Sequence, residues 1–200
     1  DFADYTTFSS VSFLFSGVVG AGINLALVRF SVDHLAREGK KPLLLYRLAI
    51  VFQLGLYALL AGTCLAFPTQ STSLLLGEPA LALPLQLGLL AGLGALTIQF
   101  VRTLYQAEEK FNHYIGIIWL IQVIIFLVLA VLWRLDSLSF SAAAWTFLVV
   151  QLGIGGMILA HYLGSFELND IKRQFFEARQ EARRFLAGSG WLIGYFIILN

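Results

Sequence analysis

Five long apolar runs constrain the fold of this 200-residue chain more than any other feature. They lie near residues 7–30, 43–67, 81–105, 113–134 and 142–165. A helix that crosses the hydrocarbon core of a bilayer needs about 20 mostly apolar residues, and each run reaches that length. The runs lack the strict apolar–polar alternation of barrel strands, so the sequence predicts transmembrane helices. A sixth run begins near Gly188 and continues to the last residue.

The composition agrees with a membrane protein and excludes several other classes. Hydrophobic residues make up 58% of the chain and charged residues only 12%, whereas a soluble domain carries about a quarter charged residues. The net charge of +1 argues against a general nucleic-acid binder, and the single Cys64 excludes a disulfide framework. Because the chain starts without Met and stops inside an apolar run, we expect a fragment of a longer protein.

The distribution of Lys and Arg predicts which ends of the spans face the cytoplasm. Twelve of the 13 cationic side chains fall in alternate connections, 31–42, 106–112 and 166–187, or at the adjoining span ends. The exception is Arg134, in the short polar turn 134–141. Cytoplasmic loops carry the excess of Lys and Arg, so these alternate connections are predicted to be cytoplasmic. Residues 1–6, 67–84 and 134–141 then face the other side, with 67–84 read as a loop or a bent entry to the third span.

The segment 167–186 differs in kind from the spans. Apolar residues, among them Ile171, Phe175 and Phe185, recur at helical spacing, and basic residues occupy much of the remaining surface. This pattern is typical of an amphipathic helix at the cytoplasmic membrane interface, although a partner-binding helix has the same pattern. The predicted organisation is therefore all-α: a polytopic transmembrane helix bundle (1–166) with five complete spans, this interfacial helix (167–186) and the start of a further span (187–200).

Catalytic and cofactor motifs are absent from the sequence. There is no G-x-x-x-x-G-K-S/T loop for a nucleotide, and no two of His34, His113 and His161 lie at i and i+4, the spacing of a His pair that binds a metal on one helix. A membrane-embedded transferase would need a cluster of carboxylates or His at one membrane interface, and only Glu108, Glu109 and His113 come near that requirement. We therefore expect no enzyme, no cofactor and no metal site.

Polar and small residues inside the spans provide the candidate binding residues. Ser12, Ser16, Gly20 and Asn24 recur every four residues in the first span, and Gly88, Gly92, Ala95, Gln99, Arg102 and Gln106 form one stripe on the third. Such stripes indicate either close helix packing or a polar cavity between helices. We select Asn24, Gln99, Arg102 and Arg29 as candidate substrate-binding residues. For both arginines, the alternative is a side chain that extends from a helix end to the membrane interface.

Three stretches resemble the polysaccharide-repeat (O-antigen type) flippases, a family of the multidrug/oligosaccharidyl-lipid/polysaccharide exporter superfamily. They are "DFADYTTFSSVSFLFSGVVGAGINLALVRF" at the start, "VRTLYQAEEKFNHYIGI" at 101–117 and "FFEARQEARRFLAGSGWLIGYF" at 175–196. The resemblance implies helices two to six of an amino-terminal lobe and the start of helix seven, in a protein of two lobes with twelve to fourteen helices.

The resemblance also implies a function. Such a transporter flips a lipid-linked saccharide across the cytoplasmic (inner) membrane by alternating access, and its cationic cavity binds the anionic pyrophosphate headgroup. Its partners would be the lipid-linked saccharide, membrane lipids and envelope polysaccharide assembly proteins, with no nucleic acid. Two alternatives stay open: another exporter of the superfamily, for drugs or peptidoglycan precursors, or a non-transporting scaffold subunit of an envelope-assembly complex.

Overall fold

The computed structural model describes residues 2–39 and 42–163, and within these ranges every regular element is helical. The elements are α1 (Phe2–Glu38), α2 (Leu43–Ala66), α3 (Pro68–Leu76), a 3₁₀ turn (Pro79–Leu81), α4 (Ala82–Ala107), α5 (Phe111–Arg134) and α6 (Phe140–Leu163). Five helices of this part of the chain, α1, α2, α4, α5 and α6, are long and apolar enough to cross a membrane. The predicted all-α bundle with five spans is confirmed. The predicted interfacial helix (167–186) and the further span (187–200) lie outside the described residues.

Helix α1 is longer than the predicted span 7–30. It includes 31–38, part of the predicted cytoplasmic connection 31–42, so the helix continues beyond the predicted span. Nothing in 31–38 interrupts a helix, and α1 ends only where Gly39 adopts a left-handed φ of 65° and donates its N–H to the Leu35 carbonyl at 3.0 Å. The 37 residues of α1 rise about 56 Å, so the helix extends well beyond a hydrocarbon core of about 30 Å.

The connection 67–84 contains a short helix rather than the predicted loop or bent entry. Pro68 occupies the first turn of α3, where its missing N–H and fixed φ are compatible with a helix. Gly77 ends α3 with a φ of 73° and donates its N–H to the Ser73 carbonyl. Pro79 then starts the 3₁₀ turn that leads into α4. The proline and glycine residues therefore mark the ends of short helices.

Helix α4 forms the centre of the bundle and α5 lies at its edge. Helix α4 packs against α1, α2, α5 and α6. Of the residues in its apolar 18-residue segment, 61% are buried, compared with 17% in the corresponding segment of α5. Helix α5 exposes Trp119, Phe126 and Trp133, each about two-thirds accessible or more. Large apolar side chains in such numbers on one helix are the surface expected to contact lipid.

Glycine residues set the close approach of α4 to its neighbours. A Cβ atom on Gly88 would lie 2.9 Å from the Phe8 carbonyl oxygen, and one on Gly92 would lie 3.3 Å from the Ser12 carbonyl oxygen. Of the two explanations left open for the stripe on α4, close packing therefore holds at Gly88 and Gly92, and α1 and α4 run parallel. We call the end at which α1 and α4 finish and α2 and α5 begin the basic end, because Arg29, Arg102 and Lys110 lie towards it.

Candidate polar site in the bundle

Three carboxamide side chains from three helices converge on the backbone of Gly20. Measured from the position that a Cβ atom would take on Gly20, Gln99 Oε1 lies at 2.8 Å, and Asn24 Nδ2 and Gln53 Nε2 each lie at 3.1 Å. We call Asn24 of α1, Gln53 of α2 and Gln99 of α4 the carboxamide cluster. A side chain at position 20 would collide with the Gln99 amide and crowd the other two, so glycine leaves the space in which they meet.

Hydrogen bonds extend this polar contact along α1. Gln99 Nε2 lies 3.4 Å from Ser16 Oγ, and the Ser16 hydroxyl donates to the Ser12 carbonyl at 2.7 Å. The hydroxyl of Tyr57, one turn beyond Gln53 on α2, donates to the Leu89 carbonyl of α4. The interface of α1, α2 and α4 is therefore polar over several turns, although all three helices are candidate spans.

The sequence reading missed Gln53, which is the most buried member of the carboxamide cluster. Its side chain has no exposed surface, whereas those of Asn24 and Gln99 are partly exposed. Gln53 interrupts the apolar run "LAIVFQLGLYALL" as a lone amide, without the four-residue repeat that singled out Asn24. The available signal was the cost of a polar side chain in hydrocarbon, because such residues usually face a bundle interior.

Arg102 lies one turn beyond Gln99 on α4 and is held by α5. Its guanidinium carbon lies 4.7 Å from the centroid of the Tyr114 ring, and Nη2 donates to the Tyr114 hydroxyl at 2.5 Å. The side chain is partly exposed, and its Nε is buried without a hydrogen-bond partner among the described residues. This geometry fixes the plane of the guanidinium through a cation–π contact and leaves donors for a further ligand.

The structure brings two of the four predicted binding residues together and places the other two apart from them. Asn24 and Gln99 meet in the carboxamide cluster. Arg102 contacts Tyr114 on α5, and Arg29 is exposed on α1, five residues beyond Asn24. An exposed position suits the alternative in which Arg29 extends to the membrane interface, so its role in binding stays a prediction.

The ionisable residues near the start of α5 lie in different surroundings. The Glu108 side chain is only 4% exposed and forms an ion pair with Lys110 at 2.8 Å. Glu109 is exposed and adopts a φ of 57° in the tight turn between α4 and α5. His113 is exposed and stacks on Tyr105, with ring centroids 5.5 Å apart. The Glu108 side chain is therefore buried, whereas Glu109 and His113 are exposed.

Beside the Tyr105–His113 stack, an open groove of about 350 Å³ runs between α5 and α6. Its lining changes from polar to apolar along α5, from Asn112 and His113 to Ile117 and Leu120. In the described ranges, no group of three or more His, Cys, Asp or Glu residues has the spacing of a metal site.

The sequence profile of one protein family, described as "polysaccharide biosynthesis protein", matches residues 1–199, which is nearly the whole chain. The chain matches no curated protein and no solved structure.

Proposed function

Because the chain belongs to the polysaccharide biosynthesis protein family, we propose that it is part of a transporter that flips lipid-linked oligosaccharide or polysaccharide repeat units across the cytoplasmic membrane. It is a multi-pass membrane protein with five spans in the described ranges. In this role the chain moves its substrate across the membrane and catalyses no chemical reaction. Membrane lipids and proteins of envelope polysaccharide assembly would be its partners.

The observation that carries the proposal is the half-buried cation on the central span. Arg102 lies on α4, whose apolar segment is more buried than those of the other four spans. A charged group inside a membrane bundle is costly, and it is usually retained where it faces a substrate path or pairs with another group. Tyr114 is the partner of Arg102 among the described residues, and it is neutral. A positive charge with a neutral partner suits an anionic substrate group.

Arginine has the right chemistry for the phosphate of a lipid-linked saccharide. Its planar guanidinium can donate two parallel hydrogen bonds to phosphate oxygens, and it stays charged at all relevant pH values. Tyr114 accepts from one N–H of Nη2, which leaves the other N–H of Nη2 and both of Nη1 as the edge that a phosphate would contact. Neutralising the headgroup would lower the cost of carrying it past the hydrocarbon core, while the lipid tail stays in the membrane.

The test is delivery of a lipid-linked oligosaccharide to the opposite leaflet by the full-length protein in proteoliposomes. Hydrogen bonds to charged groups contribute about 1.5–3 kcal/mol, so Arg102→Ala should weaken substrate binding by about 10- to 100-fold. Arg102→Lys keeps the charge without the fork and should cause a smaller loss. Arg134→Ala is the matched control, because Arg134 is exposed at the opposite end of α5.

Different outcomes separate the flippase from its alternatives. Normal flipping in both Arg102→Ala and Arg29→Ala, at normal expression, would remove both arginines from the binding site. Transport of a lipophilic cation without transport of the lipid-linked saccharide would identify a drug exporter. A correctly inserted protein that moves neither substrate would favour the scaffold.

A further inference from the structure

The carboxamide cluster contains buried polar atoms whose hydrogen-bonding capacity is not met. Gln53 has no exposed surface, and neither its Oε1 nor its Nε2 has a hydrogen-bond partner within the described ranges. Asn24 Oδ1 is also buried without a partner there. Native structures satisfy nearly all buried polar atoms, either within the protein or through ordered water, so each such atom requires an explanation.

We propose that the carboxamide cluster binds ordered water in the interior of the helix bundle. Two acceptors, Asn24 Oδ1 and Gln53 Oε1, and one donor, Gln53 Nε2, need partners. A water molecule offers both O–H donors and lone pairs, so it can bridge the two acceptors, and a second water or Gln99 Oε1 can accept from Gln53. Buried waters in proteins typically make about three hydrogen bonds of this kind.

The assignment of nitrogen and oxygen within the amides does not change this requirement. Rotating the Gln53 amide by half a turn exchanges Oε1 and Nε2, so one donor and one acceptor remain at the same place. Gln99 cannot supply everything, because it has one acceptor oxygen and its Nε2 already faces Ser16. The three amides together therefore offer more donors and acceptors than they can pair among themselves in this arrangement.

Water fits the cluster better than a cation. The cluster and the adjoining Ser16 are uncharged, and taking a cation out of water without a compensating negative charge is expensive. A cation next to the carbonyl oxygens would also lie close to the amide N–H groups of Gln53 and Asn24, which repel it. Neutral amides and a hydroxyl bind water without either penalty.

The partly exposed members of the cluster provide a route for water exchange. Asn24 and Gln99 border the buried Gln53 and reach the surface of the described bundle. Water could therefore enter along these two side chains without separation of α1, α2 and α4. The site would exist whether or not the protein transports a saccharide.

Radiolytic hydroxyl-radical labelling tests the proposal directly. Radicals formed from bound water modify nearby side chains, and mixing with ¹⁸O-labelled water reports the exchange of that water. Tyr57 is the reporter, because it lies one turn from Gln53 and is only 3% exposed. Phe8 is the reference, since it is buried among apolar residues far along α1. The full-length protein in lipid nanodiscs should show Tyr57 modified well above the level of Phe8.

Substitutions then connect the labelling to the cluster. Gln53→Leu removes the unpaired amide at similar volume and should reduce Tyr57 modification severalfold. The matched control, Gln122→Leu, alters an exposed glutamine on α5 and should leave Tyr57 modification unchanged. Gly20→Ala would place a methyl group among the three amides and should also reduce it, which keeps the test valid if Gln53→Leu fails to fold.

Two results would overturn the water site. One is Tyr57 modification no greater than that of Phe8, or equal in wild type and in every folded cluster variant. The other is a rise in melting temperature with NaCl, relative to choline chloride, that is present in wild type and lost in Gln53→Leu, because the cluster would then bind sodium.

Discussion

Adding one methyl group at Gly88 should separate α1 from α4 and destabilise the bundle. The Cβ atom of Ala at this position would lie 2.9 Å from the Phe8 carbonyl oxygen and 3.0 Å from Val11 Cβ. The first contact involves backbone, so no side-chain rotation can relieve it. The two helices must move apart where they otherwise pack closely. Gly62 on α2 is the matched control, because a Cβ atom there would contact nothing within 4 Å.

The two substitutions isolate the steric cost of the added methyl group. Overpacking a well-packed site costs about 1–3 kcal/mol, and replacing Gly with Ala inside a helix contributes about 1 kcal/mol in the opposite direction. Gly88→Ala should therefore lower the free energy of unfolding by up to about 2 kcal/mol. Gly62→Ala should leave it unchanged or raise it by up to about 1 kcal/mol. The helix-propensity contribution cancels in the difference between the two variants.

The free energy of unfolding can be measured by titrating the full-length protein with SDS in mixed micelles. We expect Gly88→Ala to unfold at a lower SDS fraction than Gly62→Ala, with a difference of about 1–3 kcal/mol. A difference below about 0.5 kcal/mol, the usual size of a surface effect, would mean that α1 and α4 do not meet at Gly88.

Two further predictions concern sidedness and the setting of Arg102. In a Cys64→Ala background, a cysteine at Gly39 should react with impermeant thiol reagents from the cytoplasmic side, and one at Ser73 should react from the outside. The reason is that the cationic connections are expected to be cytoplasmic. Labelling of both cysteines from one side would refute the topology. Tyr114→Phe removes the hydroxyl that accepts from Arg102, and Tyr114→Leu also removes the ring. The KM for lipid-linked saccharide should therefore rise from wild type to Tyr114→Phe to Tyr114→Leu, and the lost cation–π contact should account for about 0.5–2 kcal/mol of the weaker binding. Unchanged transport in Tyr114→Leu would mean that this contact does not position Arg102.

The spans were predictable because the bilayer imposes a length and a composition on every helix that crosses it. The predicted limits of the second span, 43–67, and the fourth, 113–134, agree with the helices Leu43–Ala66 and Phe111–Arg134 to within two residues. The first was too short because apolarity marks only the part of a helix that lies in hydrocarbon. Helix α1 continues past that part until Gly39 ends it, so the span and the helix have different limits.

The candidate site was only partly predictable, because its geometry depends on which helices are neighbours. A repeat of four residues placed Ser16, Gly20 and Asn24 on one face of α1, and that face does contact Gln99. Nothing in the sequence of α2 indicates that Gln53 lies at the height of Gly20, since the relative height of two helices depends on loop geometry and packing. A lone polar residue in an apolar span gives its approximate depth but not its partners.

The polar stripe on α4 combines helix packing and accessible polar groups at different heights. Gly88 and Gly92 are buried and lie against α1, so the half of the stripe away from the basic end serves close packing. Towards the basic end, Gln99 and Arg102 are partly exposed and Gln106 is exposed. The two explanations of the stripe, packing and a polar surface, therefore apply to different halves of one helix face. A headgroup that approached from the basic end would reach Gln106 and then Arg102 while the contacts at Gly88 and Gly92 stayed closed. On this arrangement, we expect that the first binding step requires no separation of α1 from α4.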